Sequence, residues 1–129
     1  PRNELQLSRL YMQGGDDYKI RFKIHVRHNL GRTLNNVRVH YELRDSSGGF
    51  MRGGNAVGNF TFETIANGED KVKTIEILCG KEGRRNAHYP RLREGGHYSL
   101  FAEITNPQSE MFDIRTNNNR CSISFTVGD

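Results

Sequence analysis

The sequence predicts an all-β fold, a seven-stranded antiparallel sandwich forming one domain over residues 1–129. Three observations carry this. Apolar and polar residues alternate with period two in several separate stretches, the pattern of strands with one buried and one wet face. Glycine is frequent, with 14 residues, and it gathers with Asn, Asp and Ser between those stretches, where turns fall. Sustained helical periodicity is absent, so no helix layer is expected. A chain of 129 residues can bury a core without disulfides or metal.

The first strand is ELQLSRLYM, residues 4–12. Leu5 and Leu7 share one phase, Leu10 and Met12 the other, so a bulge around Ser8 and Arg9 should realign the apolar face. Gly14-Gly15-Asp16-Asp17 turns the chain. The clearest strand follows, YKIRFKIHVRH. Ile20, Phe22, Ile24 and Val26 point inward, while Lys19, Arg21, Lys23, His25 and Arg27 form an outward basic stripe. After a turn at Asn29–Arg32, LNNVRVHYELRD places Val37, Val39, Tyr41 and Leu43 inward and Arg38, His40, Glu42 and Arg44 outward. The glycine-rich passage from Ser46 to Gly58 is expected to be a mobile loop, with a short strand at Val57–Thr64. Asn67-Gly68 is a turn signal. The next strand, EDKVKTIEIL, turns Ile75 and Ile77 inward. Val72 is out of phase with them, so a bulge or a late strand start is expected.

Residues 80–95, GKEGRRNAHYPRLREG, break the rhythm as an inserted basic loop. Loops of that length inside a compact domain are uncommon and often functional. The last two strands lie within Gly96–Val127. Tyr98, Leu100, Ala102 and Ile104 face in on one, and Cys121, Ile123, Phe125 and Val127 on the other, with a long polar turn between.

Seven alternating segments at this spacing are the signature of an immunoglobulin-like sandwich. Their order allows a narrower statement. YKIRFKIHVRHNLGRTLNNVRVHYEL, with Asn29 and Gly31 in its turn, resembles the second and third strands of the bacterial cell-adhesion-related domain (CARDB) family. IANGEDKVKTIEI resembles that family's Gly-led strand, and GGHYSLFAEITNPQSEMFDIRTNNN its ending. The resemblance covers about residues 4–127, with 80–95 as an insertion. It implies a non-catalytic adhesion-type module. The family carries several acids in the last turn. Here Glu110 and Asp113 are followed by Arg115 and Asn117-Asn118-Asn119, which departs from a calcium-binding pattern. The same ending is similar to the C-terminal strands of lysyl oxidases at Asn106-Pro107, Asn117-Asn118 and Arg120-Cys121. The closely spaced histidines of that family's copper site are missing.

The chemistry-bearing residues are sparse. The sequence holds no G-x-S-x-G, H-E-x-x-H, P-loop or G-x-G-x-x-G, and its carboxylates are scattered through turns. No catalytic residue, metal ligand set or cofactor is therefore assigned. His25 and His28 are three apart on a strand and face opposite sides, so the histidines read as ordinary solvated ones. Two cysteines without a CxxC give no zinc or thioredoxin-type reading. Cys79 ends the fifth strand and Cys121 begins the last, which should separate the sulfurs beyond the roughly 7 Å between Cα atoms that a disulfide spans. Two free thiols are expected.

Nineteen Lys and Arg against fifteen Asp and Glu give a net charge of +4, a mild excess that suits an anionic partner without requiring one. The function expected is that of a non-enzymatic binding or spacer module in a larger extracellular, cell-surface or virion assembly. Its contacts, to a protein or carbohydrate, would come from end loops, with Arg84, Arg85, His88, Tyr89, Arg91 and Arg93 as binding residues. One alternative is an anionic-polymer domain, for nucleic acid or sulfated glycan, using the face of Lys19, Arg21, Lys23, His25 and Arg27. A second is an accessory domain of a metalloenzyme. No apolar run approaches the roughly 20 residues of a membrane span, so no membrane insertion is expected. The start at Pro1 and the end at Gly128-Asp129 suggest a domain excised from a longer protein. An extracellular or surface location is expected, with cytoplasm and virion left open.

Overall fold

The computed structural model describes residues 3–13, 17–81, 89–105 and 119–127. They build eight strands: β1 (Asn3–Gln13), β2 (Asp17–His28), β3 (Leu34–Arg44), β4 (Val57–Ile65), β5 (Lys71–Lys81), β6 (Arg91–Leu92), β7 (His97–Ile104) and β8 (Arg120–Thr126). The seven expected strands are all present. The addition is β6, two residues that run parallel to β5, while every other pairing is antiparallel. One sheet has the order β1-β2-β5-β6 and the other β4-β3-β7-β8.

The core is what the alternation predicts. Ile20, Phe22, Ile24 and Val26 of β2 meet Val37, Val39, Tyr41 and Leu43 of β3 and Tyr98, Leu100, Ala102 and Ile104 of β7, all buried. Phe125 closes this layer, its ring 5.8 Å from Phe22 and 6.0 Å from Tyr98 between centroids. These spacings are those of tilted aromatic pairs, which add to the area they bury. Cys79 and Cys121 are free thiols, one on each sheet. Burial pushes their pKa values up to about 12 and about 11, so neither is a ready nucleophile.

The phase slip in β1 is a bulge. Leu5 and Leu7 pair with Val26 and Ile24, the register shifts between Arg9 and Tyr11, and Met12 then pairs with Ile20. The irregularity expected at Val72 does not exist. The β2–β5 ladder runs unbroken from Asp17↔Gly80 to Val26↔Lys71, and Val72 sits opposite His25 on the wet face, 42% exposed. A single exposed valine on a sheet surface is tolerated. An irregularity that alternation does not signal lies in β3. Asn36 takes a left-handed φ of 54°, and Leu34 and Val37 on either side are both buried.

The glycine-rich passage is not a loose loop. Asp45 N–H donates to Gly49 O, Met51 N–H to Leu43 O, and Leu43 N–H to Ala56 O. Its end presses against the other sheet: Leu78 N–H of β5 donates to Gly54 O at 2.8 Å. Gly54 and β6 together cover the outer edge of β5.

His28 also corrects the sequence reading, because it is buried. It has the same parity as Val26 and so turns inward. Its Nε2 lies 2.8 Å from Ile65 O, and Leu30 N–H donates to its Nδ1 at 3.2 Å. With Nδ1 accepting, Nε2 carries the proton and donates to Ile65. The ring thus ties the end of β2 to the end of β4, where the chain crosses from one sheet to the other.

On the outer face of β3, His40 bridges Asn59 Oδ1 and Glu42 Oε1, and Arg44 Nε donates to Glu42 Oε2 at 3.0 Å. The Arg44 guanidinium lies 4.0 Å from the Phe101 ring centroid. Burial works to raise the Glu42 pKa, but the hydrogen bonds and positive charge from His40 and Arg44 outweigh it and hold the carboxyl below its ordinary value. A folded pKa below the unfolded one gives stability that is complete above the unfolded value and is lost as pH falls through the folded one. Glu42→Gln is expected to flatten this acid loss. Urea midpoints taken across the carboxylate range and below it, for parent and variant, check it: parallel curves would show that Glu42 contributes nothing to acid sensitivity.

Candidate functional site

The site is an open cleft of about 470 Å3 at one end of the sandwich. It is lined by Asp45, Ser46, Ser47, Arg91, Arg93, Gly96, His97 and Tyr98. Three pieces of chain build it. Where β3 ends, the Asp45 carboxylate accepts from Ser47 N–H at 2.9 Å, Ser47 Oγ–H at 2.6 Å and Gly49 N–H at 3.1 Å. These bonds, the Ser47 hydroxyl first, hold its pKa below the ordinary value. The turn closes on Gly48, whose φ of 88° suits glycine.

The second piece is β6. Gly80 N–H donates to Pro90 O, and Leu92 is buried as an anchor between exposed Arg91 and Arg93. Period two then puts both guanidinium-bearing residues on the same side. The third piece is the tight return into β7. Arg93 N–H donates to Tyr98 Oη at 2.8 Å, and Gly96 N–H donates to Arg93 O. A Cβ at Gly96 would stand 2.8 Å from Arg93 O and 2.9 Å from the Tyr98 ring, so glycine alone allows this approach. His97, with Thr126 Oγ1 3.1 Å from its Nδ1, forms part of the rim.

Electrostatically the cleft is cationic. Among the described residues neither Arg91 nor Arg93 has a carboxylate partner, and Asp45 is committed to its own turn. Two forked guanidinium groups beside serine hydroxyls suit a carboxylate, sulfate or phosphate group.

Of the loop residues read from sequence, Arg91 and Arg93 come together here. Tyr89 is half-buried beside Pro90, outside the cleft lining. Arg84, Arg85 and His88 lie outside the described residues. The segment 80–95 is not loop throughout, since β5 runs to Lys81 and β6 pairs with its end. Sequence reasoning missed Asp45–Ser47 and His97. The Asp-Ser-Ser-Gly turn was the available signal for the first, and nothing in the sequence places His97 beside it.

The basic stripe Lys19, Arg21, Lys23, His25 and Arg27 lies on the outer face of the β1-β2-β5-β6 sheet. There Arg21 is ion-paired with Glu76 at 2.9 Å and His25 Nδ1 lies 3.2 Å from Asp70. The face is therefore partly neutralised by its own neighbours. Among the described residues no three His, Cys, Asp or Glu side chains gather as a metal site. Glu110 and Asp113 of the last turn lie outside the described residues. No helix among the described residues is long and apolar enough to cross a membrane.

No family model matches the chain, and no curated protein matches it. Its fold matches the crystal structure of a CARDB domain from Pyrococcus furiosus, solved in complex with di-metal ions. The TM-score is 0.62 at 16% sequence identity, over 97% of this chain and 86% of that one. The likeness shows the fold: this chain is a β-sandwich with the same fold as that CARDB domain.

Proposed function

We propose that this domain is a non-enzymatic binding or spacer module of a larger extracellular or cell-surface assembly, and that it holds its partner through the arginine cleft at its end. The observation that carries the reading is the pair Arg91 and Arg93, set in the cleft with no carboxylate partner among the described residues, on a sandwich whose interior is filled. The CARDB-like fold supports an adhesion-type role and is fold-level support. The group recognised is an anion displayed by a protein or carbohydrate, a carboxylate or sulfate being the simplest.

Titration of heparin and of poly-glutamate into the purified domain, over a salt series, tests this. The Arg91→Ala/Arg93→Ala double variant is expected to weaken binding by about a hundredfold or more, the scale of one lost charge-assisted contact for each of two arginines. Lys23→Glu/Arg27→Glu should leave it within about twofold beyond the general charge effect. The reverse pattern would move the site to the basic sheet face. No binding near physiological salt would remove the cleft as an anion site.

A further inference from the structure

The sandwich has four sheet edges, and they are not equally guarded. An open edge is a row of unpaired N–H and C=O groups that templates another strand, and proteins blunt it with short strands, proline, bulges or charge. β6 is two residues long and follows Pro90. β1 is bulged between Arg9 and Tyr11. β8 opens on Arg120, ion-paired to Glu103 at 3.2 Å.

β4 carries the least of these. It is nine residues, VGNFTFETI, with no proline, lysine or arginine and one charge, Glu63. It pairs with β3 from Leu34↔Ile65 to Glu42↔Val57, and among the described residues no strand pairs with its outer side. Val57 at its start and Phe50 beside it remain 39% and 51% exposed. Phe50 is bridged to Arg44, which places it along the same margin.

We propose that the outer edge of β4 docks a second copy of this chain, β4 against β4, antiparallel about a two-fold axis at Thr61. Thr61 is the midpoint of Val57–Ile65, and this register matches face to face over Asn59–Glu63, short of the end where the alternation slips and Phe62 and Ile65, three apart, are both buried. It sets Asn59 opposite Glu63 of the second copy and Thr61 opposite Thr61, so no like charges face each other. On the inner face it sets Phe60 opposite Phe62 of the second copy, an aromatic cross-strand pair, beside the same-strand neighbours Phe60 and Phe62 whose rings lie 5.2 Å apart within one chain. An isologous contact of this kind closes on itself and does not propagate. The two four-stranded sheets become one continuous sheet across the axis.

Cysteine placement reads the register directly. Opposed residues in an antiparallel pair have Cα atoms roughly 4.5–5.5 Å apart, inside the range a disulfide bridges. Under mild oxidation Thr61→Cys is expected to form a covalent dimer, and the parent protein, whose thiols are buried or half-buried, is not. Glu63→Cys alone should stay monomeric, whereas a mixture of Asn59→Cys and Glu63→Cys should cross-link. In sedimentation equilibrium the parent should approach twice the monomer mass as concentration rises. Thr61→Lys, at an exposed position, should lose this association by opposing two like charges, with its urea midpoint unchanged at concentrations where the parent is monomeric. A parent that stays monomeric throughout the series, or Glu63→Cys cross-linking to itself as readily as Thr61→Cys, overturns the proposal.

Discussion

Gly54→Ala is expected to destabilise the domain by about 3 kcal/mol, far more than its position in a surface passage implies. A Cβ at Gly54 would fall 1.9 Å from Leu78 O and 3.1 Å from Pro90 Cδ, at a backbone φ of +59°. Backbone cannot rotate away as a side chain can, so the passage must lift off β5. It would then lose the bond from Leu78 N–H to Gly54 O. Left-handed strain adds about 1–2 kcal/mol for a residue with a Cβ. Gly48→Ala separates the two effects. Its φ is +88° but nothing lies within 4 Å of the added carbon, so it should show the strain alone. Urea denaturation followed by circular dichroism compares them. Equal losses in the two variants would show that the close approach to β5 contributes nothing.

His28→Ala is the second large effect, expected at about 2–4 kcal/mol. The change empties a buried site and leaves two backbone groups, Ile65 O and Leu30 N–H, without the partners they now have. Desolvated groups left unpaired are more expensive than the hydrogen bonds are worth. His28→Gln should recover part of the loss, since a side-chain amide can still donate to Ile65 O. If alanine and glutamine prove equal, the ring acts by filling space and the hydrogen bonds are incidental.

The strands were legible because most of them have one wet face, and period two survives in residues such as Lys19–Arg27 and Arg38–Arg44. The bulge in β1 was legible for the same reason, as a slip between Leu7 and Leu10. What was not legible depends on contacts between distant segments. Gly54 looks like any loop glycine until β5 is beside it, and the phase of Val72 looks like an irregularity until the unbroken ladder places it on the wet face opposite His25. His28 was open to a better reading, since its parity with Val26 places it inward. Histidine is polar enough to be assigned to water, and only Ile65 and Leu30 show why burial is acceptable. The cleft was half legible. Arg91 and Arg93 stood out as charge in a rhythm break, but the chain joins them to Asp45–Ser47 only through the fold.

The order in which the strands are dealt to the two sheets has a consequence for how the chain acquires its structure. The first pair belongs to one sheet, the second to the other, and the third and fourth pairs repeat the alternation. During synthesis β2 therefore waits with one edge open while the β3–β4 hairpin forms, until β5 arrives. The aromatic closure of Phe22 needs Phe125, near the end of the described chain. No N-terminal fragment contains a finished sheet pair, so partial chains have no stable resting point. Native structure should appear in one cooperative step, on the roughly millisecond-to-second scale of folds dominated by non-local pairings. Until that step, an emerging chain shows its neighbours the apolar face of β2, which makes release of the last strand the moment at which aggregation ceases to compete.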